Sequence, residues 1–430
     1  MKNIYASLLF SFCLLQLNAQ RTFTRCGTHE LMLQKEQQHP GYLQAVNNLF
    51  NAAKLNAENN SRAASDSIYR IQTVFHVLYT KPEENIPDSV IHRQIEILNR
   101  DYRRKNADTV QTRAVFQPFA ADAGIEFYLA TTDPDGNPTT GITRAPGTPA
   151  FPIFGFNPGS DEIKSVATGG ADPWPTDRYL NVWVGPLFFG AVLGYAFPPD
   201  GAPNWGPQDG TDSAHQGVVL HYAAVGDNFS TPVDATVAGG RSAVHEIGHY
   251  LGLRHIWGDG DCTEDDGISD TPDADAASQQ TCDTSKNTCT ETPIEYPDQI
   301  ENYMDYSDDR CLNMFTHEQV GLIRSMIQIA RPGIATLEVV SRIKEEEMIG
   351  AVRLYPNPTN GIVQLFAETR NGQPVSYEVY NTLGLQVVSA NAVNSYPAFS
   401  TIDLSSKPAG VYSVVVNCGS QKVVKRVVVQ

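Results

Sequence analysis

The 430-residue sequence has no excess of positive charge. It contains 31 Lys and Arg against 48 Asp and Glu, and no basic patch stands out, which argues against nucleic acid as a partner. After the first twenty residues no apolar run is long enough to span a membrane. Cysteine is sparse, at seven residues, and none forms a close C-x-x-C pair, which disfavours a structural zinc site made of thiolates.

The beginning of the chain has the pattern of a secretory signal peptide. Lys2 supplies a positive start, Ala6 to Leu17 is mostly apolar, and Asn18-Ala19 offers a small residue for cleavage. We therefore expect residues 1–19 to be removed, the alternative being an uncleaved membrane anchor. In an exported chain the clustered cysteines suggest two disulfides, whose pairing the spacing alone leaves open: Cys262, Cys282, Cys289 and Cys311.

The chain is long enough for two or three domains. Residues 20–61 are polar and helix-leaning, and they end in Asn59-Asn60-Ser61-Arg62, which we expect to be an exposed cut site. Strands are predicted at 68–79, 125–130, 180–184 and 217–222, and an amphipathic helix runs from Val90 to Tyr102. This order predicts a mixed α/β domain over residues 62–333.

The amino-acid composition of the chain changes near Val352. Before it, Thr316 and Gln319 predict a capped helix that ends at Arg331-Pro332-Gly333, and the charged residues 334–351 suggest a linker. From 352 to 430 short Val- and Tyr-rich strands alternate with turns such as Asn360-Gly361. This pattern predicts a small all-β sandwich.

The segment His245-Glu246-Ile247-Gly248-His249-Tyr250-Leu251-Gly252-Leu253-Arg254-His255 predicts a catalytic zinc site. His245 and His249 are four residues apart, so on a helix they share one face and can bind one ion. Gly252 can adopt the left-handed conformation that turns the chain and brings His255 round as a third ligand. Glu246 lies beside this face as a general base.

The stretch that follows the third histidine is strongly acidic. Eight carboxylates fall between residues 259 and 275 with no Lys or Arg among them. Such a loop repels itself unless cations neutralise it, and hard oxygen ligands suit Ca²⁺, although the spacing is not that of an EF-hand. The alternative is a solvated acidic loop.

Three segments, HEIGHYLGLRHIWGDGDC, DTPD and NYMDYSDDRCLNMFT, resemble the pappalysin family of metzincin metallopeptidases over roughly residues 62–332. The resemblance implies a twisted sheet with an active-site helix. It also implies zinc ligation by the three histidines, Met304 as the turn methionine, and Tyr306 as the group that stabilises the oxyanion; for Tyr306 the alternative is a packed aromatic. It further implies structural calcium, with the best counterparts at Asp266, Ser269, Asp270 and Thr271, and disulfides Cys262–Cys289 and Cys282–Cys311.

The C-terminal segment, with Leu354-Tyr355-Pro356-Asn357-Pro358 and Gly410-Val411-Tyr412, resembles the sorting domain of the type IX secretion system. The resemblance implies the secretion machinery as a partner and a secreted or surface-attached product. The alternative is a substrate-binding module.

These features predict a secreted zinc endopeptidase that cleaves proteins and peptides, with a catalytically inert zinc-binding surface protein or adhesin as the alternative. Cys26 is the only cysteine in the presumed pro-segment. A thiolate is a strong zinc ligand, so Cys26 is expected to occupy the fourth position in a latent form. The alternatives are an incidental thiol or a disulfide to Cys418.

Overall fold

The structure is a computed structural model that describes residues 24–60, 67–146, 162–187, 192–199, 216–227, 235–291, 294–339, 349–369, 374–393, 398–418 and 421–430. Two compact units divide the chain, Met1–Val340 and Ser341–Gln430. The predicted signal peptide and the predicted cut site at Ser61-Arg62 lie outside the described residues. Within the described ranges, no helix combines the length and the apolar character needed to cross a bilayer.

The first unit is a mixed α/β structure, which confirms the predicted fold class. Its elements, in chain order, are β1 (Thr24–Cys26), α1 (Thr28–Gln38), α2 (Tyr42–Asn60), β2 (Ser67–Tyr79), α3 (Asp88–Tyr102), β3 (Ala120–Ala121), β4 (Ile125–Leu129), β5 (Ile142–Pro146), β6 (Leu180–Gly185), β7 (Val192–Ala196), β8 (Val218–His221), α4 (Arg241–Tyr250), β9 (Phe315–Thr316), α5 (His317–Ile329) and β10 (Ala335–Val339).

The main sheet has the strand order β1-β7-β8-β6-β2-β10, with β4 and β5 also paired to β2. β6 pairs in parallel with β2 and with β8, whereas β7 runs antiparallel to β8. Every residue of β6, β7 and β8 is buried, as expected for strands covered on both faces. The predicted strands at 68–79, 125–130, 180–184 and 217–222 are therefore confirmed within a residue or two.

Helices α3 and α4 pack on each other and on this sheet. The predicted stripe of α3 is buried at Ile91, Leu98 and Tyr102. The Tyr102 hydroxyl donates to the Val244 carbonyl at 3.0 Å, which ties α3 to α4. The prediction of this helix is confirmed, and its role is to hold α4 against the sheet.

The predicted pro-segment contributes one strand and two helices to the first unit. β1 pairs in parallel with β7, with Cys26 opposite Gly194. Helix α2 packs against α5 and buries Phe50 and Ala53, and Lys54 Nζ donates to the Gly267 carbonyl at 2.7 Å. The helix-leaning composition is confirmed, whereas β1 was not predicted, because a strand of three residues has no periodicity to detect.

The second unit is all-β, as predicted. Its strands are β11 (Ile349–Tyr355), β12 (Ile362–Thr369), β13 (Val375–Tyr380), β14 (Gln386–Val393), β15 (Ala398–Asp403), β16 (Gly410–Cys418) and β17 (Gln421–Val429). They form one sheet of order β11-β12-β15 and one of order β14-β13-β16-β17, and both contribute to a single hydrophobic core. Strand β10, which pairs with β2, and the first residues of β11, which begins at Ile349, lie within the predicted linker, residues 334–351.

Candidate active site

Helix α4 and the turn after it place three histidines and a glutamate at one buried point. His245, Glu246 and His249 lie on α4, and each is 3% exposed or less. Gly252 has φ of 94°, and a Cβ there would lie 2.8 Å from Met326 side-chain atoms. Glycine is therefore needed both for the left-handed backbone and for the close approach of α5. The turn returns the chain so that His255 faces the two helical histidines.

The three Nε2 atoms surround a common centre. His249 Nε2 lies 3.1 Å from His245 Nε2 and 3.0 Å from His255 Nε2. Tetrahedral zinc with bonds of about 2.0–2.1 Å would separate its nitrogens by roughly 3.3 Å. The cluster therefore fits zinc, with Cys26 beside it: the four potential ligand atoms all lie within 4.8 Å of one another.

Each histidine is oriented through its other ring nitrogen. His245 Nδ1 lies 2.7 Å from the Tyr303 carbonyl and His249 Nδ1 lies 2.8 Å from the Leu253 carbonyl, while His255 Nδ1 contacts the Asp259 carboxylate. These contacts place the proton on Nδ1 and direct the Nε2 lone pair towards the centre. Burial also lowers the pKa of His249 to about 3, so its ring is neutral, as metal ligation requires.

Glu246 is covered by two N-terminal residues, Cys26 and Thr28. Its Oε2 atom lies 3.2 Å from Cys26 Sγ and 3.3 Å from Thr28 Oγ1. Its Oε1 atom is buried with no hydrogen-bond partner among the described residues. Burial raises the pKa of Glu246 to about 8. On its other side, a Cβ at Gly194 of β7 would lie 2.7 Å from Glu246 Cγ, so only glycine leaves room for this carboxylate.

The segment around Met304 lies beneath the histidines. Met304 is fully buried, and a Cβ at Gly248 would lie 2.5 Å from its sulfur, so Gly248 lets this turn pack under α4. The Tyr306 hydroxyl donates to the Cys26 carbonyl at 3.2 Å and lies 3.2 Å from His255 Nε2. Burial raises the pKa of Tyr306 well above its usual value, which keeps the hydroxyl protonated.

Arg25 holds strand β1 beside the site. It is 1% exposed, donates to the Ser307 carbonyl at 2.6 Å, and pairs with the Asp309 carboxylate. The other oxygen of Asp309 accepts from Gly239 N at 2.9 Å, just before α4. The partner of Arg25 is thus a buried carboxylate that also contacts the residues just before the active-site helix.

The acidic loop has a more specific structure than its composition shows. Asp266 is 2% exposed, and its Oδ1 accepts from Thr271 Oγ1 at 2.8 Å. Asp270 accepts from Glu318 N at 3.0 Å, and Ser269 Oγ donates to Glu318 at 2.6 Å. One oxygen each of Asp266 and Asp270 is buried without a partner in the described part of the chain. Both disulfides, Cys262–Cys289 and Cys282–Cys311, are present.

Several residues at the site were not found by sequence reasoning. Thr28 contacts Glu246, and Asp259 contacts His255. Trp257 stacks on the His255 ring at 4.3 Å with an interplanar angle of 8°. In the sequence Asp259 is one of eight acids in the loop. Its position four residues after His255 is the feature that could have identified it.

The helix α4 and the turn at Gly252 assemble the groups that peptide hydrolysis at a metal ion requires, which defines a metalloendopeptidase of the metzincin class. The family described as "Pregnancy-associated plasma protein-A" matches residues 164–328, and the "Secretion system C-terminal sorting domain" matches residues 353–430. An extracellular metalloprotease of Arthroderma gypseum is 28% identical over 290 residues, covering 66% of this chain and 81% of that protein.

Two solved structures are similar over nearly their whole length. A Tannerella forsythia promirolysin mutant is 36% identical, covers 72% of this chain and 97% of its own, and has a TM-score of 0.61. Mirolysin in complex with a compound is 38% identical, covers 63% and 96% respectively, and has a TM-score of 0.56. The chain belongs to the pappalysin family of metzincin metallopeptidases and carries a type IX sorting domain. It is a secreted or cell-surface metalloendopeptidase, and the family implies a zinc ion at the three histidines.

Proposed function

We propose that this chain is a zinc endopeptidase made as a latent zymogen, in which His245, His249 and His255 bind zinc and Cys26 occupies the fourth position. The observation that carries this proposal is the position of the Cys26 sulfur, which lies within 4.8 Å of all three histidine ligand atoms. A free or incidental thiol would have no reason to lie there, fully buried, more than 200 residues away in sequence. The structure leaves Cys418 unpaired as well, which argues against a disulfide between the two.

Zinc, when bound, polarises the substrate carbonyl and acidifies water. Glu246 is proposed to accept the proton of the attacking water and to pass it to the leaving amine. The position of its carboxylate supports this role, because Oε2 lies 3.2 Å from Cys26 Sγ, the atom proposed to take the place of the water.

Tyr306 is proposed to stabilise the oxyanion. Its hydroxyl already donates to a peptide carbonyl, that of Cys26, so the geometry of donation to a peptide in this cleft is available. Strand β7 is proposed to bind the extended substrate by strand addition, because β1 now covers its edge and Gly27 N donates to the Gly194 carbonyl at 2.9 Å.

Latency follows from what the pro-segment covers. Cys26 fills the position of water, Thr28 contacts Glu246, and β1 occupies the edge of β7. Burial and the charge of Glu246 raise the pKa of Cys26, so the thiolate form depends on a neighbouring cation. Cleavage near Ser61-Arg62 is proposed to free the segment and to admit water.

The catalytic proposal is tested with Glu246→Ala in the mature enzyme. Zinc content should stay at one ion per chain, while hydrolysis of an internal peptide bond should fall by at least roughly 100-fold. Glu264→Ala is the matched control, because this glutamate lines a pocket together with His249 and His255 but, unlike the buried Glu246, is exposed to solvent. Near-normal turnover by Glu246→Ala would remove Glu246 from the role of base.

A structural calcium ion is proposed at Asp266, Ser269, Asp270 and Thr271. Support comes from the two buried carboxylate oxygens without partners and from the pKa of Asp266, which burial raises well above its usual value. A cation would satisfy both oxygens and allow both carboxylates to remain ionised.

The domain organisation is proposed as signal peptide 1–19, pro-segment 20–61, catalytic domain 62–333, linker 334–351 and sorting domain 352–430. The sorting domain is proposed to serve export by the type IX machinery rather than catalysis. Its own hydrophobic core supports independent folding.

A further inference from the structure

Asp259 makes two contacts that set it apart from the rest of the acidic loop. Its Oδ1 atom contacts Nδ1 of His255, and its Oδ2 atom lies 3.2 Å from Nδ1 of His29 in the pro-segment. Its backbone has φ of 61°, a left-handed conformation that few residues other than Gly, Asn and Asp adopt readily. The chain therefore accepts a rarely used backbone conformation at the position that brings this carboxylate to His255.

The three histidines differ in what holds them. His245 and His249 are oriented by neutral main-chain carbonyls, at 2.7 and 2.8 Å. Only His255 is oriented by a carboxylate, and it lies beyond the end of α4 at Tyr250. An anionic partner fixes the tautomer of an imidazole ligand and raises its basicity.

Two exposed acids on either side of Glu264, Asp261 and Asp265, bond to residues close to them in the chain. Asp261 is exposed and accepts from Thr263, two residues away. Asp265 is exposed and accepts from Gly267 N. Neither contacts a histidine of the site, so charge in the loop does not by itself explain the placement of Asp259.

We propose that Asp259 is a positioning residue that orients His255 for zinc and, through its second oxygen, seats the pro-segment at His29. In the zymogen one carboxylate then serves both a zinc ligand and the inhibitory segment. When the segment leaves, the contact to His255 remains and Oδ2 is released. The inference rests on the proposed zinc site, and it adds a residue outside the zinc-binding segment to the machinery.

The test compares Asp259→Asn and Asp259→Ala with Asp261→Asn, an exposed acid of the same loop. Zinc affinity is measured by competition with a chromophoric chelator in the full-length chain carrying Glu246→Gln, which prevents self-cleavage. Asp259→Ala should weaken zinc binding about 10–100-fold. Asp259→Asn keeps an acceptor without the charge and should recover part of this loss, while Asp261→Asn should match the unaltered chain.

Kinetics and spectroscopy separate positioning from general damage to the fold. In the mature enzyme kcat should fall for Asp259→Ala with KM within about twofold of normal, because the residue acts on a ligand of the metal rather than on the peptide. The visible absorption bands of the cobalt-substituted protein should shift in both Asp259 variants. His29→Ala should leave zinc affinity within about twofold and should speed alkylation of Cys26 in the zymogen, because only the second contact is lost.

Three results would overturn the proposal. These are zinc affinity of Asp259→Ala equal to that of Asp261→Asn, an equal loss of affinity in His29→Ala, and Cys26 alkylation unaffected by His29→Ala. If Asp259→Ala does not fold, the Asp259→Asn variant provides the test. Zinc affinity equal to that of the unaltered chain, together with unshifted cobalt absorption bands, would then refute the proposal. Absence of zinc binding in the unaltered chain would instead refute the proposed function on which the inference rests.

Discussion

The buried ion pair between Arg25 and Asp309 offers a measurable test of latency. Arg25 is 1% exposed and Asp309 is 3% exposed, and Arg25 also donates to the Ser307 carbonyl at 2.6 Å. Removing one partner of a buried pair costs about 3–5 kcal/mol. The lower end applies here, because Gly239 N still donates to Asp309 at 2.9 Å. A loss of about 3 kcal/mol corresponds to a shift of roughly 100-fold in the equilibrium between the closed and open pro-segment.

The assay is alkylation of Cys26 in the full-length chain carrying Glu246→Gln. Cys26 is fully buried, so it reacts only when the pro-segment opens, and its rate follows the open population while closing outpaces alkylation. Arg25→Ala should therefore raise this rate by roughly 100-fold. Arg25→Lys keeps the charge but cannot donate to Ser307 and Asp309 in the same way as the planar guanidinium. Its Cys26 alkylation rate should therefore lie between those of Arg25→Ala and the unaltered chain.

Two internal comparisons make the result specific. Cys418 is also a buried free thiol but belongs to the second unit, so its alkylation rate should not change. Arg310→Ala is the matched control, because Arg310 is exposed and pairs with the neighbouring acid Asp308. A rise of less than about threefold in Arg25→Ala, or an equal rise in Arg310→Ala, would refute this account of the anchor. Rapid alkylation of Cys26 in the chain with Arg25 intact would contradict latency itself.

Three further outcomes are expected. Tyr306→Phe should lower kcat by roughly 100-fold with little change in KM, because the hydroxyl is lost as an oxyanion donor, and steady-state kinetics that show a change in KM alone would contradict this role. A calcium-selective chelator should lower the melting temperature before zinc is lost, because the buried Asp266 carboxylate and the partly buried Asp270 carboxylate would lose the proposed cation; an unchanged calorimetric transition would mean that the loop is stable without calcium. A chain ending at Val340 should remain folded and hydrolyse peptides after maturation but should not reach the outer surface, because the second unit has its own core. Loss of peptide hydrolysis in that purified chain would make the sorting domain part of the catalytic unit.

The sequence by itself determined the parts of the protein whose geometry is local. A helix fixes the separation of His245 and His249, and a glycine that can turn left-handed explains how His255 returns, so the metal site could be predicted from spacing. The long periodic strands and helix α3 were equally predictable, because alternation and a stripe of apolar residues each imply one face for burial.

Only the tertiary structure decided which distant groups meet these residues. Cys26 could be expected near zinc, but its pairing with Glu246, the pairing of Arg25 with Asp309 and the contact of Thr28 with Glu246 depend on how β1 lies along β7. In the sequence Asp259 is one of eight acids in the loop. The structure shows that the turn after α4 places it between His255 and His29. Such contacts depend on three-dimensional packing between segments far apart in the chain, and no local pattern in the sequence encodes them.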